Sequence, residues 1–230
     1  MQYLGGKHRI ATMLAAYLES RRHGRLFVEP FCGGLSVTAA MTGPRVAVDA
    51  HAGLLVLYDA WRGGWRPPER VTEARYDELR RNQDLRDPLT TFAGFGLSFG
   101  GKWFGGFARG AAGRNYQENA TRSLNKKIAR CQDVLFGCAD YRRLRPTSEH
   151  LVYCDPPYES TTSYSGVDRF NHAEFWATVR SWARAGVTVL VSEYQAPADF
   201  TLVWEVLRNL AMQSTQARVR AERLFEYRVR

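Results

Sequence analysis

Short apolar runs that end at acidic, proline or glycine residues alternate with segments of helical periodicity along most of the chain. Runs of this kind predict buried strands, and they lie at residues 26–29, 45–49, 136–140, 151–154 and 187–192. Apolar residues at helical spacing predict helices from Ile10 to a stop at Gly24, over residues 52–61 and over residues 172–185. Strands that alternate with helices indicate an α/β fold with a parallel sheet. Two late segments, around residues 203–204 and 224–227, predict an antiparallel pair that closes the sheet.

The strand–helix alternation disappears between residues 62 and 114. A charged helical part around Tyr76 and Leu79 comes first, and glycines, aromatic residues and cations are then interleaved over residues 92–110. Such a composition makes a poor core but a good mobile surface for nucleic acid, because aromatic rings stack on bases and cations meet phosphates. We expect some of the rings to pack inward and to anchor the segment.

A basic amphipathic helix is predicted over residues 115–135. Its inward-facing residues are predicted to be Leu124, Ile128, Cys131 and Leu135. The cations on its other face, Lys126, Lys127 and Arg130, face either DNA or solvent, and a solvated face is the commoner outcome.

Composition adds a charge argument to this pattern. The chain has 230 residues, enough for one core and a smaller inserted module, and it carries a net charge of +9. That charge favours a polyanionic partner, nucleic acid before membrane. The four cysteines form no CxxC pair, so we expect them to be reduced and mostly buried, without a zinc site. No apolar run is long enough to span a membrane, and no signal peptide is visible, which favours the cytoplasm.

The candidate chemistry centres on Asp155, Pro156, Pro157 and Tyr158, directly after the predicted strand at residues 151–154. Two prolines cannot continue a ladder of hydrogen bonds, so a rigid turn must form where the strand ends. The Asp155 carboxylate and the Pro156 carbonyl can accept the two hydrogens of a planar amine, while Tyr158 stacks on its ring. The turn could instead merely end a strand, with Tyr158 as packing.

Two earlier strand ends favour a nucleotide-like ligand. Gly33 and Gly34 follow the first strand, at the predicted start of a helix, and let the backbone approach a bound group, although their spacing is not the dinucleotide GxGxxG pattern. Asp49 ends the second strand, where an acid can accept hydrogen bonds from both hydroxyls of a ribose. Near the amino terminus, Gly5 and Gly6 precede Lys7, and a glycine pair can also bring the backbone close to a ligand.

Taken in order, these motifs resemble those of the Dam-type, D12-class, N6-adenine DNA methyltransferases. Residues 3–7 are similar to the amino-terminal cofactor motif, residues 27–34 to the main S-adenosylmethionine motif, and residues 155–158 to the catalytic motif. Asp49 matches the ribose-binding acid and Asp140 the acid near the cofactor adenine. Further similar positions are Tyr164, Phe170, Asn171, His172, Phe175, Trp176 and residues 191–194.

The resemblance implies a Rossmann-like, class I S-adenosylmethionine-dependent methyltransferase with a seven-stranded sheet and an inserted target-recognition segment. The catalytic domain is then residues 1–61 and 131–230, and the inserted DNA-binding segment is residues 62–130. The cofactor-binding residues it implies are Tyr3, Gly6, Lys7, Glu29, Pro30, Phe31, Gly33, Gly34, Asp49, Asp140 and Asp155. The catalytic residues are Asp155, Pro156, Pro157 and Tyr158, and no metal takes part.

Double-stranded DNA is the partner that this family implies. The expected DNA-binding residues are Lys102, Trp103, Arg109, Arg114, Asn115, Tyr116, Lys126 and Lys127. Arg109 ends a stretch similar to a Gly-x-x-Arg element of the family, and we predict that it contacts a base. Trp103, Phe104 and Phe107 anchor the segment or fill the gap that a flipped base leaves. The compact length resembles phage and prophage members, and a cognate restriction endonuclease is a further candidate partner.

Three alternatives remain open from the sequence. N4-cytosine methylation uses the same amine geometry, but serine opens that motif more often than aspartate does. An RNA or protein methyltransferase is a second alternative, and the basic insertion disfavours a protein substrate. A catalytically idle DNA-binding relative is the third, against which the intact Asp155 and Asp49 argue.

Overall fold

A single seven-stranded sheet forms the centre of the molecule, with the strand order β3-β2-β1-β4-β5-β7-β6. The computed structural model describes residues 1–110, 115–159, 170–209 and 219–228. Its strands are β1 (Leu26–Glu29), β2 (Arg45–Asp49), β3 (Leu135–Cys138), β4 (His150–Cys154), β5 (Thr188–Ser192), β6 (Phe200–Asn209) and β7 (Val219–Tyr227). Strands β1 to β5 are parallel, while β7 runs antiparallel to both of its neighbours. The predicted seven-stranded α/β sheet and its closing antiparallel pair are confirmed.

Helices cover both faces of the sheet. They are α1 (Ala11–Arg22), α2 (Ala52–Arg62), α3 (Glu73–Asn82), α4 (Pro88–Thr91), α5 (Tyr116–Ala129) and α6 (His172–Arg184). Alternate strand residues point to opposite faces, so in β1 Phe27 packs with α1 while Val28 packs with α6. Helix α2 and the inserted segment share a third apolar cluster. The sheet is therefore buried on both sides, and its ligand-binding surface must lie at a strand edge.

The glycine- and aromatic-rich stretch at residues 92–110 is largely part of the core, which corrects the expectation of a mobile surface. It forms a π-helix (Phe92–Gly96) and a short 3-10 helix (Phe99–Gly101). Phe92, Phe95 and Phe104 are buried, and Trp103 and Phe107 pack against the same cluster. Its glycines allow this packing, since a Cβ at Gly94 would lie 2.4 Å from the ring of Trp103.

Two predicted helices differ from the observed ones. Helix α5 ends at Ala129, and Leu135, which was expected to face inward, begins β3 with 68% of its surface exposed. The helix expected to start after Gly34 is replaced by turns over residues 36–40. Side chains satisfy that backbone instead: Glu29 accepts from the Thr38 amide, and Arg45 donates to the carbonyl of Thr38.

The cysteines and the helix lengths can be compared with the expectations from composition. Cys32, Cys131 and Cys154 are buried and Cys138 is exposed, as expected for mostly buried thiols. Within the described part of the chain, every helix is too short or too polar to cross a membrane.

Candidate active site

The carboxyl ends of the five parallel strands each carry an acidic residue. Glu29 and Asp49 are the last residues of β1 and β2, and Asp155 and Glu193 directly follow β4 and β5. Asp140 lies two residues beyond β3. Because parallel strands end at the same edge, the acids form one row across the sheet in the order Asp140, Asp49, Glu29, Asp155, Glu193. This edge is where open α/β sheets bind ligands.

Asp155 is paired with a lysine from the amino-terminal motif. The Lys7 ammonium lies 2.8 Å from Asp155 Oδ1 and 3.7 Å from Glu222 Oε2 of strand β7. It also donates to the Gly5 carbonyl at 3.3 Å. Lys7 is buried, with 4% of its side chain exposed, so this cation lies between two carboxylates in a largely dry site.

Burial and charge act in opposite directions on this pair. Burial raises the pKa of Asp155 above its usual value, and the Lys7 ammonium offsets part of that effect. Burial also works against the charged form of Lys7, but Asp155 and Glu222 outweigh it and raise the pKa of Lys7. The upward direction of the Asp155 pKa is a finding of the structure.

Tyr158 has its ring and its hydroxyl group fixed by different neighbours. The hydroxyl donates to Glu222 Oε2 at 3.2 Å. The ring packs edge-to-face against Tyr194 with centroids 4.6 Å apart, and Lys7 Nζ lies 4.7 Å from its centroid. Pro156 is buried and Pro157 is exposed. The turn at residues 155–158 is thus held by residues from three distant parts of the chain.

The loop after β1 is tied to the end of β2. The Gly33 amide donates to Asp49 Oδ2 and the His51 amide donates to Asp49 Oδ1, both at 2.9 Å. The Tyr58 hydroxyl donates to the Gly33 carbonyl. Each Asp49 oxygen keeps a further lone pair, so Asp49 can still accept hydrogen bonds from a ligand.

Tyr3 packs directly on the two glycines of this loop. A Cβ at Gly33 would lie 2.7 Å from the Tyr3 ring, and one at Gly34 would lie 2.8 Å from Tyr3 Cβ. Gly33 also has a φ of +41°, which side-chain-bearing residues rarely adopt. A Cβ at Gly6 would lie 3.0 Å from the Tyr3 carbonyl oxygen. The amino-terminal motif and the β1 loop therefore form one continuous surface.

Glu29 does not reach that surface. Its Oε2 accepts from both the amide and the hydroxyl of Thr38, and the side chain is buried. Burial raises the pKa of Glu29 to about 8, although the Thr38 hydrogen bonds oppose the shift. Pro30, the next residue, is buried as well. The structure thus gives Glu29 a role in shaping the loop from beneath.

At the β3 end of the row, Phe31 joins an aromatic cluster. Its ring lies 5.4 Å from Tyr141, 5.9 Å from Phe170 and 5.8 Å from Phe175, centroid to centroid. Asp140, next to Tyr141, accepts two hydrogen bonds of 2.8 Å from the Arg142 guanidinium. That hydrogen bonding lowers the pKa of Asp140. The cluster provides an apolar wall beside a carboxylate.

The residues expected to contact DNA occupy different environments. Arg109 is exposed and pairs with Glu73 at 2.5 Å, and Lys126 is also exposed. Lys102 and Tyr116 are half-buried. Arg114 lies outside the described residues, as does Tyr164 of the resemblance. Arg109 and Lys126 are thus the expected cations that the structure leaves most accessible.

Three of those expected residues have structural contacts instead. Trp103 packs in the apolar cluster, and its Nε1 donates to Gln83 at 3.1 Å. Asn115 caps α5 by accepting from the Glu118 amide at 3.0 Å. Lys127 does not face the surface beside Lys126, because its ammonium donates to the Gly34 carbonyl and to Ser36 Oγ. The spacing of cations along a helix could not reveal which of them turns inward.

Two acids near the Asp155 turn had no role assigned to them from the sequence. Glu222 contacts both Lys7 and Tyr158 from strand β7. Glu193 accepts from the Glu159 amide at 3.2 Å and from the Tyr194 amide at 2.8 Å, and burial raises its pKa to about 7. The acid after β5 repeats the pattern of the other strand ends and could have been found from it. The contacts of Glu222 had no signal in the sequence.

The strand order and the row of acids beside a glycine loop define an α/β, Rossmann-like methyltransferase fold. The model of the family described as D12 class N6 adenine-specific DNA methyltransferase matches residues 3–87 and 104–217. The chain therefore belongs to that family, and the resemblance found in its motifs is confirmed. The unmatched residues 88–103 include α4 and the two short helices of the insertion.

Several solved methyltransferase structures are similar to this chain at low identity. The rRNA methyltransferase aviRa from Streptomyces viridochromogenes is 15% identical, with a TM-score of 0.45 over 97% of this chain and 86% of that one. The putative methyltransferase yhhF from Escherichia coli is 13% identical, with a TM-score of 0.38 over 96% and 88%. Precorrin-6y C5,15-methyltransferase from Geobacter metallireducens GS-15 is 8% identical, with a TM-score of 0.39 over 94% and 88%.

S-adenosylmethionine is the methyl donor that this family implies, and the residues present fit it. Asp49 keeps lone pairs for ribose hydroxyls, and Tyr3 packs on the two glycines of the loop beside it. The Phe31 cluster offers apolar surface for an adenine ring. The carboxylates of Asp155 and Glu193 suit the neighbourhood of a positively charged sulfur.

Proposed function

We propose that this methyltransferase is a site-specific DNA adenine-N6 methyltransferase. It transfers a methyl group from S-adenosylmethionine to the exocyclic amine of an adenine that is flipped out of duplex DNA. The observation that carries the proposal is the position of Asp155 and Tyr158, next to the glycine loop, in a chain of this family. The DNA substrate and the choice of adenine are the parts of the proposal that rest on the family alone.

The chemistry assigned to the catalytic turn concerns one amine. An exocyclic amine is a poor nucleophile because its lone pair is delocalised into the ring. The Asp155 carboxylate and the Pro156 carbonyl accept hydrogen bonds from its two N–H groups and favour a tetrahedral nitrogen, while Tyr158 stacks on the base. When the nitrogen bonds to the methyl group it keeps one hydrogen and releases the other as a proton to water. When bound, the cofactor supplies a methyl group activated by its sulfonium, and holding both reactants in line supplies much of the acceleration.

Lys7 and Glu222 serve to fix the acceptor. The 2.8 Å contact from Lys7 orients the Asp155 carboxylate and keeps it ionised, although burial favours the neutral acid. Glu222 holds the Tyr158 hydroxyl and neutralises part of the Lys7 charge. The Asp155 carboxylate is thus available to the amine in its charged form, while the Lys7 ammonium is held by both carboxylates.

The cofactor-binding residues of the proposal lie along the row of acids. Asp49 binds the ribose, the loop at Gly33 and Gly34 approaches the rest of the cofactor, and Phe31 and Asp140 flank its adenine. Support comes from the hydrogen bonds that tie Asp49 to the loop and from the aromatic cluster around Phe31. Glu29 acts from below the loop through Thr38.

Residues 62–130 form the proposed target-recognition segment, and residues 1–61 and 131–230 form the catalytic domain. Arg109 reads a base and Lys126 meets phosphate, since both are exposed. Flipping the base costs a few kcal/mol, which stacking and hydrogen bonds in the pocket offset. Phe99, 71% exposed at the start of the short 3-10 helix, is an apolar side chain that can enter the DNA stack.

The proposal is tested by expressing the protein in a bacterium without DNA methylation and by mapping modified bases across the genome. We expect N6-methyladenine at one short sequence, and none with the Asp155→Ala variant, which keeps S-adenosylhomocysteine binding. N4-methylcytosine instead would move the assignment to cytosine. Unmodified DNA together with cofactor binding would favour an RNA substrate or an idle DNA-binding relative.

A further inference from the structure

Lys127 differs from the other cations of helix α5 in where its ammonium lies. Its neighbour Lys126 is exposed, whereas Lys127 is half-buried. Leu124 and Ile128 of the same helix are in the core. Helix α5 thus places Lys127, near the end of the inserted segment, next to the loop after β1 that contains Gly33 and Gly34. We call this the cofactor loop.

The Lys127 ammonium makes two hydrogen bonds within that loop. It donates to the Gly34 carbonyl and, at 3.0 Å, to Ser36 Oγ. A Cβ at Gly34 would lie 3.6 Å from Lys127 Nζ. An ammonium has three N–H donors, so one donor remains for a further acceptor.

Among the described residues, no carboxylate lies within 4.0 Å of Lys127 Nζ. Burial accordingly lowers the pKa of Lys127 to about 8. Glu29 is the acid whose charge acts on it, yet the pKa of Glu29 is itself raised to about 8 by burial. Even a half-buried cation without a charged partner is costly, so this environment favours an anionic ligand.

The place of Lys127 corresponds to one end of the cofactor. With the ribose at Asp49 and the methyl group aimed at Asp155, the sulfur lies above the end of β1, which is between β2 and β4 in the sheet. The third substituent of that sulfur is the amino-acid chain. This chain then runs along the loop that contains Gly34 and Ser36, and Lys7 is already engaged by two carboxylates.

We propose that Lys127 binds the α-carboxylate of S-adenosylmethionine and so joins α5, the last helix of the inserted segment, to the cofactor site. The proposal rests on the proposed function, because it assumes the cofactor orientation given there. Lys127 is then a cofactor-binding residue and not a phosphate-binding one.

A cycle of two ligands and two proteins tests this directly. Isothermal titration calorimetry would measure the affinity of the wild-type protein and of Lys127→Met for S-adenosylhomocysteine and for its decarboxylated analogue, S-adenosyl-3-thiopropylamine. We expect Lys127→Met to weaken S-adenosylhomocysteine about tenfold or more and to leave the analogue nearly unchanged. Arg122→Met removes one exposed cation from the same helix and should change neither affinity.

The other outcomes are informative as well. Equal losses for both ligands would mean that Lys127 only supports the loop, and unchanged affinities would mean that it contacts no cofactor; either result overturns the inference. If Lys127→Met does not fold, Lys127→Arg must still prefer the ligand with the carboxylate at least tenfold, and loss of that preference also overturns it. Failure of the wild-type protein to bind S-adenosylhomocysteine would instead count against the proposed function.

Discussion

Two carboxylates share the ammonium of Lys7, and this competition affects the pKa of Asp155, the proposed catalytic acid. Asp155 is the nearer partner at 2.8 Å and Glu222 the farther at 3.7 Å. In the proposed mechanism Asp155 must be ionised to accept a hydrogen bond from the amine, but its burial favours the neutral form. At the residue scale, the ammonium of Lys7 therefore favours the ionised form of Asp155.

Replacing Lys7 with methionine should move the acid limb of the kcat–pH profile to higher pH. Without the ammonium, the effect of burial on Asp155 is no longer offset and Glu222 adds a like charge, so the pKa of Asp155 should rise further. The measurement is kcat against pH with saturating cofactor and DNA. Arg86→Met, which removes an exposed cation, serves as the control, and an unmoved acid limb in Lys7→Met would refute the role of the pair.

Glu29 predicts a pH-dependent stability. Its pKa is raised to about 8 in the folded protein from an ordinary value near 4.5. The folded state therefore holds a proton that the unfolded chain has lost between those pH values, so stability should fall as pH rises through this window. Glu29→Gln can keep the Thr38 hydrogen bonds. Its free energy of unfolding should increase relative to that of the wild type by about 1 kcal/mol for each pH unit across this window.

Urea denaturation at pH 5, 6.5 and 8 would measure that difference. Glu69→Gln provides a control, since Glu69 is an exposed acid. A constant difference between Glu29→Gln and the wild type at all three values would show that Glu29 is ionised in the folded protein.

At the element scale, the inserted segment exposes Phe99 although several of its rings are buried. Phe92, Phe95 and Phe104 are in the core, whereas Phe99 is 71% exposed. The 3-10 helix that carries it touches the amino-terminal motif, because the Leu4 amide donates to the Gly101 carbonyl at 3.1 Å. Phe99 is thus held on a rigid element next to residues that adjoin the cofactor loop.

We predict that Phe99→Ala reduces base flipping and leaves cofactor binding unchanged. Its ring can replace the stacking that an extruded base loses, which is worth about 1–3 kcal/mol per base. Fluorescence of 2-aminopurine at the target position should rise less on binding, and kcat/KM should fall about tenfold or more. Leu202→Ala, at an exposed apolar residue of edge strand β6, should match the wild type. A normal fluorescence rise with Phe99→Ala would show that the Phe99 ring does not enter the DNA stack.

Arg109 makes a second prediction for this segment. Its bidentate fit to guanine would be worth about 1–3 kcal/mol of discrimination, and its present partner Glu73 is exposed and can release it. Arg109→Ala should therefore relax specificity at one base position in a methylome map. The same sites in the same ranking as the wild type would reduce Arg109 to a backbone contact.

At the scale of the whole molecule, the net charge of +9 predicts DNA binding that weakens steeply with salt. Exposed cations contribute to this salt dependence and cations that face inward do not. Lys126 and Lys127 should therefore differ in their effect on DNA binding. Lys126→Ala should lower affinity for all sequences alike and reduce the slope of log K against log salt by about 0.9 for one lost phosphate contact. Titrations at several salt concentrations measure it, and an unchanged slope would remove Lys126 from the DNA surface.

Local patterns in the sequence were enough to establish the frame of this protein. Apolar runs, their period and the residues that end them depend on near neighbours in the chain, so the strands from β1 to β7 and the acids at Asp49 and Asp155 could be predicted. The ordered motifs also indicated the family that the comparison confirmed. The position of the site at the carboxyl edge follows from the parallel order of the strands.

Contacts between distant residues were decided only by the tertiary structure. Lys7 meets Glu222 across more than 200 residues of chain, and Lys127 reaches Gly34 from the far side of the insertion. Composition suggested a mobile surface at residues 92–110, but five of its six rings are buried in the apolar cluster or pack against it. A side chain's partner depends on which elements pack together, and no short-range pattern records that choice.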